Sequence, residues 1–363
     1  MKIGILTFHC AHNYGAVLQC YALQETLKGM GHDVEVIDYR PEYLLAPYRI
    51  FDVHRLLSKK PMQLIKIWGR EFLIFNRRRK RYKAFNDFIS TRLNLSGQIQ
   101  GNDIPSKYDI YIMGSDQIWN PKITKGFDPV YFGEFLFDKG EKKYISYAAS
   151  MEVNSLNEDE KSFYKKSLAN FDSISVRESQ LAALLQPLTD KKIEFVLDPT
   201  LLADINIWNK IAESPNINVK YVLVYQVRIN DNALRIANEI AKKNGAIVIN
   251  ILTYFTPYFN RHKLQCESPE RFLGLIKNAF CVVTTSFHGT AFSIIFNKPF
   301  YCVALGDGGD TRSSSLLKSL GLESRLIRKD CSPVFSNIKY DEVNSNLSKM
   351  KESSMKYLIN AMI

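Results

Sequence analysis

The sequence contains no apolar run approaching the roughly 18 residues needed to cross a bilayer, so a membrane-spanning chain is not expected. It opens with Met1-Lys2-Ile3-Gly4-Ile5-Leu6-Thr7-Phe8. That stretch has the length and apolarity of a strand, not the charged-then-apolar pattern of a secretory signal, and a cytoplasmic protein is expected. Internal repeats, low-complexity tracts and a GxGxxG dinucleotide loop are all lacking. The six cysteines (Cys10, Cys20, Cys266, Cys281, Cys302 and Cys331) include no CxxC pair. They read as reduced, mostly buried thiols. Only Cys10 and His12, with His9 beside them, approach the spacing of zinc ligands, and a structural role for them is the simpler reading, so no metal site is predicted.

Negative charge is scarce in one place. Between Arg55 and Arg92 twelve basic residues stand against only Glu71 and Asp87, a surplus that accounts for nearly all of the chain's net charge of +11. The charge therefore describes one local surface with an acidic partner. Pro61 is placed to start a helix carrying Leu64, Ile65, Trp68, Phe72, Leu73 and Phe75, and the cluster Arg77–Arg81 follows it. An apolar, Trp-bearing helix beside dense positive charge fits docking on an anionic membrane. The alternative is that its apolar face packs on the first domain while the charges stay solvated. No nucleic-acid partner is predicted, because the Leu/Ile/Phe interleaving suits a phosphate backbone poorly.

A chain of 363 residues suits two domains. Its rhythm is strand, loop, helix. Lys2–Phe8 is a strand, the segment after Gly15 has helical spacing, and Asp33–Tyr39 is the next strand, a complete βαβ unit that predicts a parallel sheet. Further strands are predicted at Asp109–Gly114, Tyr144–Ala149, Ser173–Val176 and Ile193–Leu197, with helices near Asn157–Asn170 and Glu178–Gln186. A second series follows Asp198-Pro199-Thr200. Its strands are Tyr221–Val227, Ala246–Leu252, Cys281–Ser286 and Phe300–Leu305. Its helices are Asp231–Asn244, Pro269–Ala279, Gly289–Asn297 and Thr311–Leu320. The fold class is thus α/β: two doubly wound Rossmann-like domains facing a cleft, the glycosyltransferase-B type of architecture. The expected division is an N-terminal acceptor-side domain over 1–203 with the basic insertion 55–92, a C-terminal donor-side domain over 204–340, and a helix over 341–363 that packs back on the first domain.

Ligands of doubly wound sheets bind beyond the carboxyl ends of the strands, which directs attention to the loops there. His9-Cys10-Ala11-His12-Asn13-Tyr14-Gly15 follows the first strand, and Asn13 and Gly15 suit a turn opening a helix whose free N–H groups face a ligand. Gly114-Ser115-Asp116-Gln117-Ile118-Trp119-Asn120 reads either as a sugar-binding wall, with Trp119 stacking on a pyranose, or as an N-capped turn with the Trp in the core. Arg177 is either a fork for phosphate or carboxylate or the partner of Glu178 or Asp198. Thr285-Ser286-Phe287-His288-Gly289 is the segment singled out most strongly. His288 sits where a helix N-terminus favours anions and where an imidazole can pass a proton, and Gly289 lets a ligand approach the backbone. Arg312 follows the loop after Phe300–Leu305 as a further anion ligand. These groups describe an enzyme joining an anionic donor to a hydroxyl-rich acceptor.

The blocks Asn13-Tyr14-Gly15-Ala16-Val17-Leu18-Gln19, Gly114-Ser115-Asp116-Gln117-Ile118-Trp119, Ser175-Val176-Arg177-Glu178, Asp198-Pro199-Thr200-Leu201-Leu202 and Ser286-Phe287-His288-Gly289 resemble the polysaccharide pyruvyl transferase family. The resemblance implies transfer of pyruvate from phosphoenolpyruvate, as a co-substrate and with no cofactor, to hydroxyls of a sugar in a bacterial surface polysaccharide or its lipid-linked precursor, forming a ketal. On this reading His288 and Asp116 are catalytic. Arg177, Ser286, His288, Gly289 and Arg312 bind the donor, and His12, Asn13, Tyr14, Gln117 and Trp119 bind the acceptor. Family members commonly carry Arg two residues before the His, where this chain has Ser286. Arg312 or a lysine is left to supply that charge, or the donor differs. The rival readings are a glycosyltransferase with a nucleotide-sugar donor and a non-catalytic glycan-assembly protein.

Overall fold

A computed structural model of the chain describes all residues except 51–60, 100, 154, 259, 307–309 and 329–335, and the backbone alone of 61–68 and 70. Arg55, Lys59 and Lys60, the loop residues Asp307-Gly308-Gly309, Cys331, and the side chains of Leu64, Ile65 and Trp68 therefore lie outside the described residues.

Two six-stranded sheets form the frame, and every strand pairing described is parallel. The first contains β1 (Lys2–Leu6), β2 (Asp33–Val36), β3 (Ile110–Met113), β4 (Lys143–Ala149), β5 (Ser173–Val176) and β6 (Ile193–Phe195), in the order β2-β1-β3-β4-β5-β6. The second contains β7 (Tyr221–Tyr225), β8 (Ile247–Ile251), β9 (Lys263–Leu264), β10 (Cys281–Thr284), β11 (Phe300–Val303) and β12 (Leu326–Ile327), in the order β12-β11-β10-β7-β8-β9. The central strands Ile110–Met113, Tyr221–Tyr225, Cys281–Thr284 and Phe300–Val303 are buried along their whole length. A parallel sheet covered by helices on both faces demands such runs, which is why they read as continuous apolar segments. These are two doubly wound Rossmann-like domains facing a cleft, in the glycosyltransferase-B arrangement. The two-residue edge strands β9 and β12 were not expected, because so short a segment carries no periodicity.

The longer helices are α1 (Tyr14–Gly29), α2 (Pro61–Arg92), α3 (Glu158–Leu168), α4 (Ser179–Leu185), α5 (Ile205–Ile211), α6 (Asp231–Asn244), α7 (Pro269–Asn278), α8 (Phe287–Ile295), α9 (Thr311–Ser319) and α10 (Tyr340–Met362). Among the described residues no helix is long and apolar enough to cross a membrane. Helix α1 is capped by Asn13, whose side chain accepts from the N–H groups of Gly15 and Ala16. It is buried almost all round, because it lies between its own sheet and the second domain.

Helix α2 departs from the expectation that its charges stay solvated. Its basic cluster is not a uniformly solvated face. Arg81 is buried and donates to the Leu252 carbonyl at 3.1 Å, Arg77 donates to the Thr256 carbonyl, and the Cys266 thiol donates to the carbonyl of Arg77. Both loop residues belong to the second domain, so part of the cluster bridges the domains. Arg79 and Lys80 face solvent, as do Phe72 and Leu73 at 83% and 61% exposure.

Helix α10 holds the other side together. The Tyr357 hydroxyl donates to Ser146 O at 2.9 Å, Ser354 Oγ accepts from Leu197 N at 2.9 Å, and Lys351 donates to Ala203 O at 3.1 Å. The Tyr340 hydroxyl at its start donates to the Lys298 carbonyl of the second domain. Leu358 on this helix is fully buried in a core shared by both domains. Leu358→Ala is expected to lower the unfolding free energy by about 3 kcal/mol, read by urea denaturation, with the far-UV spectrum of the native state unchanged.

Candidate active site

In each sheet the strand order reverses at one place, between β1 and β3 in the first and between β7 and β10 in the second. Crossover helices diverge to opposite faces at such a point and leave a crevice at the carboxyl ends of the strands. A cavity of about 690 Å³ lies where the two crevices meet. The first domain lines it with Ala11 and Asn13 from the β1 loop, Asp116 and Gln117 from the β3 loop, and Glu152 beyond β4. The second domain contributes Arg228 after β7, Ser286 and His288 after β10, and Arg312 after β11.

His288 occupies the first turn of α8, which Ser286 caps by accepting from Gly289 N–H at 3.3 Å. Its Nε2 stands 3.7 Å from Asp198 Oδ2, an electrostatic contact beyond hydrogen-bond reach, and has no hydrogen-bond partner among the described residues. The other edge of the ring lies against Gly15 of the first domain. A Cβ at Gly15 would fall 2.0 Å from His288 Nδ1, so only glycine fits there.

Asp198 is the charge around which this region is built. Its Oδ1 accepts from Thr200 N at 2.9 Å and Thr200 Oγ1 at 2.7 Å, and its Oδ2 accepts from Arg177 Nη1 at 2.6 Å and Ser115 Oγ at 3.2 Å. Burial alone would raise its pKa. His288, Arg177 and Thr200 outweigh burial and hold it well below the usual carboxylate range.

Arg177 does not line the cleft. It is buried, pairs with Asp198 at 2.6 Å, and lies 3.6 Å from Asp116 and 4.0 Å from Glu178. Its guanidinium also sits over the Phe287 ring at 4.8 Å. The cations that reach the cavity are Arg312 and Arg228, with Lys122 also on the wall. Arg312 and Arg228 each stand 3.6 Å from the Glu152 carboxylate, one on each oxygen. Burial and the nearby Arg177 push the Arg312 pKa below its ordinary value, against the opposing pull of Glu152, Glu178 and Asp116. Arg228 and Glu152 were missed from sequence. Arg228 follows a strand as Arg177 does, and the Thr285 hydroxyl donates to its carbonyl at 3.2 Å, tying it to the His288 loop.

Several predicted residues are placed elsewhere. Trp119 is fully buried, stacked on Phe132, and donates from Nε1 to Tyr131 O at 3.1 Å, so it supports the wall from behind and cannot stack on a sugar. Tyr14 is buried against Phe272 at 4.4 Å and its hydroxyl donates to Glu267 O, so it joins the domains and does not face an acceptor. Gly289 is packed on β10. A Cβ there would lie 2.3 Å from Thr284 Oγ1, so the glycine serves helix–strand contact and not ligand approach. His12 lies outside the cleft in a neighbouring cavity, with its ring against Tyr48, Tyr82 and Phe85, and burial lowers its pKa to about 4. Asp116 does line the cleft. It holds a left-handed backbone at φ 73°, uncommon for a non-glycine residue and compatible with its own carboxylate accepting from Gln117 N at 2.8 Å.

The His9-Cys10-His12 group does not converge. His9 bonds Asp38 at 2.8 Å, His12 is drawn towards Asn86, and burial pushes the Cys10 thiol up to about 12. Among the described residues no group of three or more potential ligands could hold a metal ion.

The depressed pKa of Asp198 fixes a sign. A buried carboxylate whose folded pKa lies below its unfolded value of about 3.9 stabilises the fold above that pH and loses the contribution as pH falls. Asp198→Asn is expected to lower the unfolding free energy at pH 7 by about 3 kcal/mol. The gap to wild type should narrow below about pH 4 when both proteins are unfolded in urea across a pH series.

The chain resembles known proteins at two levels. Among solved structures, UDP-GlcNAc 2-epimerase from Methanocaldococcus jannaschii is 12% identical over 97% of this chain and 93% of its own, with a TM-score of 0.46. The Neisseria meningitidis enzyme bound to UDP-GlcNAc is 11% identical over 99% and 94%, with a TM-score of 0.47. The glycosyltransferase SnogD from Streptomyces nogalater is 9% identical over 99% of each chain, with a TM-score of 0.41. At these scores the likenesses carry no argument about chemistry. No protein of curated function matches in sequence. The profile of one family, polysaccharide pyruvyl transferase, matches residues 13–307. That span takes in most of both sheets and both rims of the cleft, and the chain belongs to the polysaccharide pyruvyl transferase family.

Proposed function

We propose that the protein transfers pyruvate from phosphoenolpyruvate to two hydroxyls of a sugar in a surface polysaccharide or its lipid-linked precursor, closing a ketal. The observation that carries this reading is His288 on the cavity wall, with the buried Asp198 carboxylate facing its Nε2, in a site that also presents Arg228 and Arg312 across a single carboxylate. Two guanidiniums that share Glu152 match a donor with one phosphate and one carboxylate. They also supply the positive charge that Ser286, standing where Arg is common, does not. The Ser286 hydroxyl is committed to the helix cap.

In this mechanism the donor's phosphate and carboxylate take the places Glu152 holds beside Arg312 and Arg228. His288 donates a proton to the methylene carbon, and positive charge develops at C2. The first sugar hydroxyl bonds to C2 and gives its proton to Asp116, which lines the same cavity. The C2–O–phosphate bond then breaks, Asp116 passes its proton to the departing phosphate, and the arginines stabilise the charge that leaves with it. The second hydroxyl bonds to C2 and returns a proton to His288. Each turnover consumes one phosphoenolpyruvate and one diol and yields one ketal and one hydrogen phosphate. Arg177 acts at one remove, holding Asp198 behind His288 and standing beside Asp116.

His288→Ala is expected to slow phosphate release from phosphoenolpyruvate in the presence of acceptor by about 10²–10⁴-fold; release at the wild-type rate would sink the assignment. Arg228→Gln is expected to raise the KM for phosphoenolpyruvate about tenfold. In thermal-shift measurements phosphoenolpyruvate should stabilise the wild type. Stabilisation by UDP- or GDP-sugars alone would make the protein a nucleotide-sugar glycosyltransferase instead.

A further inference from the structure

A second cavity of about 410 Å³ lies beside the cleft, and Tyr48 lines both. His12 lines it, together with the three arginines Arg49, Arg78 and Arg81. Two of them are matched by acids: Arg49 meets Glu42 at 2.6 Å and Arg78 meets Glu71 at 2.7 Å. Arg81 is not. It is buried, donates one hydrogen bond to the Leu252 carbonyl, and rests against the rings of Tyr14, Phe85 and Phe255, with no carboxylate in ion-pair range among the described residues. A buried, permanently charged guanidinium without an acid partner is costly unless an anion completes it. His12 adds no charge near neutral pH, because burial holds its pKa at about 4, so the excess belongs to the arginines.

We infer that this cavity is a phosphate subsite for the acceptor, taking the phosphate or diphosphate ester at the reducing end of the glycan whose sugar occupies the cleft. The inference rests on the pyruvyl-transfer reading for the identity of the sugar end. The connection is geometric: a molecule with its sugar beside Asp116 and Gln117 reaches the second cavity by passing Tyr48, which touches both. The cavity also explains what the buried part of the basic cluster does beyond joining the domains. The same helix carries Phe72, Leu73, Arg79 and Lys80 into solvent on the face opposite the one that lines the cavity. A prenyl chain attached to that phosphate and a soluble glycosyl phosphate present the same group to Arg81, and the subsite recognises the group they share.

Titration of the full-length protein with inorganic pyrophosphate, followed by calorimetry, tests the subsite. Wild type is expected to bind two equivalents, one at Arg228 and Arg312 and one in the second cavity. Arg312→Gln and the double variant Arg49→Gln/Arg78→Gln are each expected to lose one of the two, with an affinity loss of about tenfold per guanidinium removed. Arg49→Glu, at a half-exposed position that leaves the Arg81 contacts intact, should weaken the same site and guards against misfolding of the double variant. A double variant that binds pyrophosphate with wild-type stoichiometry and affinity overturns the proposal. Flotation on phosphatidylcholine vesicles carrying a prenyl diphosphate, reversed by soluble pyrophosphate, assigns the group to a lipid-linked glycan. Two-site binding without flotation assigns it to a soluble glycosyl phosphate. Failure of the donor reading looks different: phosphoenolpyruvate would leave the wild-type melting temperature unmoved, while the pyrophosphate count stays readable.

Discussion

Asp198 carries its charge where no water reaches it, and the surrounding contacts are arranged to keep it charged. A lone carboxylate in such a place would take up a proton; here Arg177, Thr200 and Ser115 bond both oxygens, and His288 faces one of them from the second domain. The node fixes more than its own residues. Arg177 leaves β5 with its guanidinium between Asp198 and Asp116, so the β3 loop and the Asp198 turn are held to one cation. Removing Arg177 leaves the buried Asp198 charge without its closest cation, which is far more destabilising than losing a surface pair.

That arrangement also explains which predicted cations reach the cleft. From sequence Arg177 reads either as an anion ligand or as the partner of Glu178 or Asp198; the structure has the second, with Asp116 as a third acid that nothing in a linear string brings near. Arg228 follows β7 in an equivalent way and does line the cavity. The difference lies in the partners each loop brings, which are set by the order of strands in the sheet and not by spacing along the chain.

The frame itself was legible. Continuous apolar runs separated by helical periods mark buried parallel strands, and the observed strands begin and end within a few residues of those runs. The rule that ligands sit beyond the carboxyl ends of strands led to His288, Asp116, Gln117 and Arg312, all of which line one cavity. The rule could not separate residues facing the cavity from those behind it. Trp119, Tyr14 and Gly289 stand in the correct loops with their side chains or Cα pointing into protein, because a loop of alternating orientation supplies both lining and support. Two charges of the basic helix were counted as surface for a related reason: the carbonyls that accept Arg77 and Arg81 lie 179 and 171 residues further along the chain.

The contact between Gly15 and His288 makes the imidazole a shared part. Its backbone belongs to one domain, while the surface that limits its swing, together with the carboxylate facing Nε2, belongs to the other. Separating the two domains removes both restraints at once, so the orientation of the ring depends on the two halves staying together.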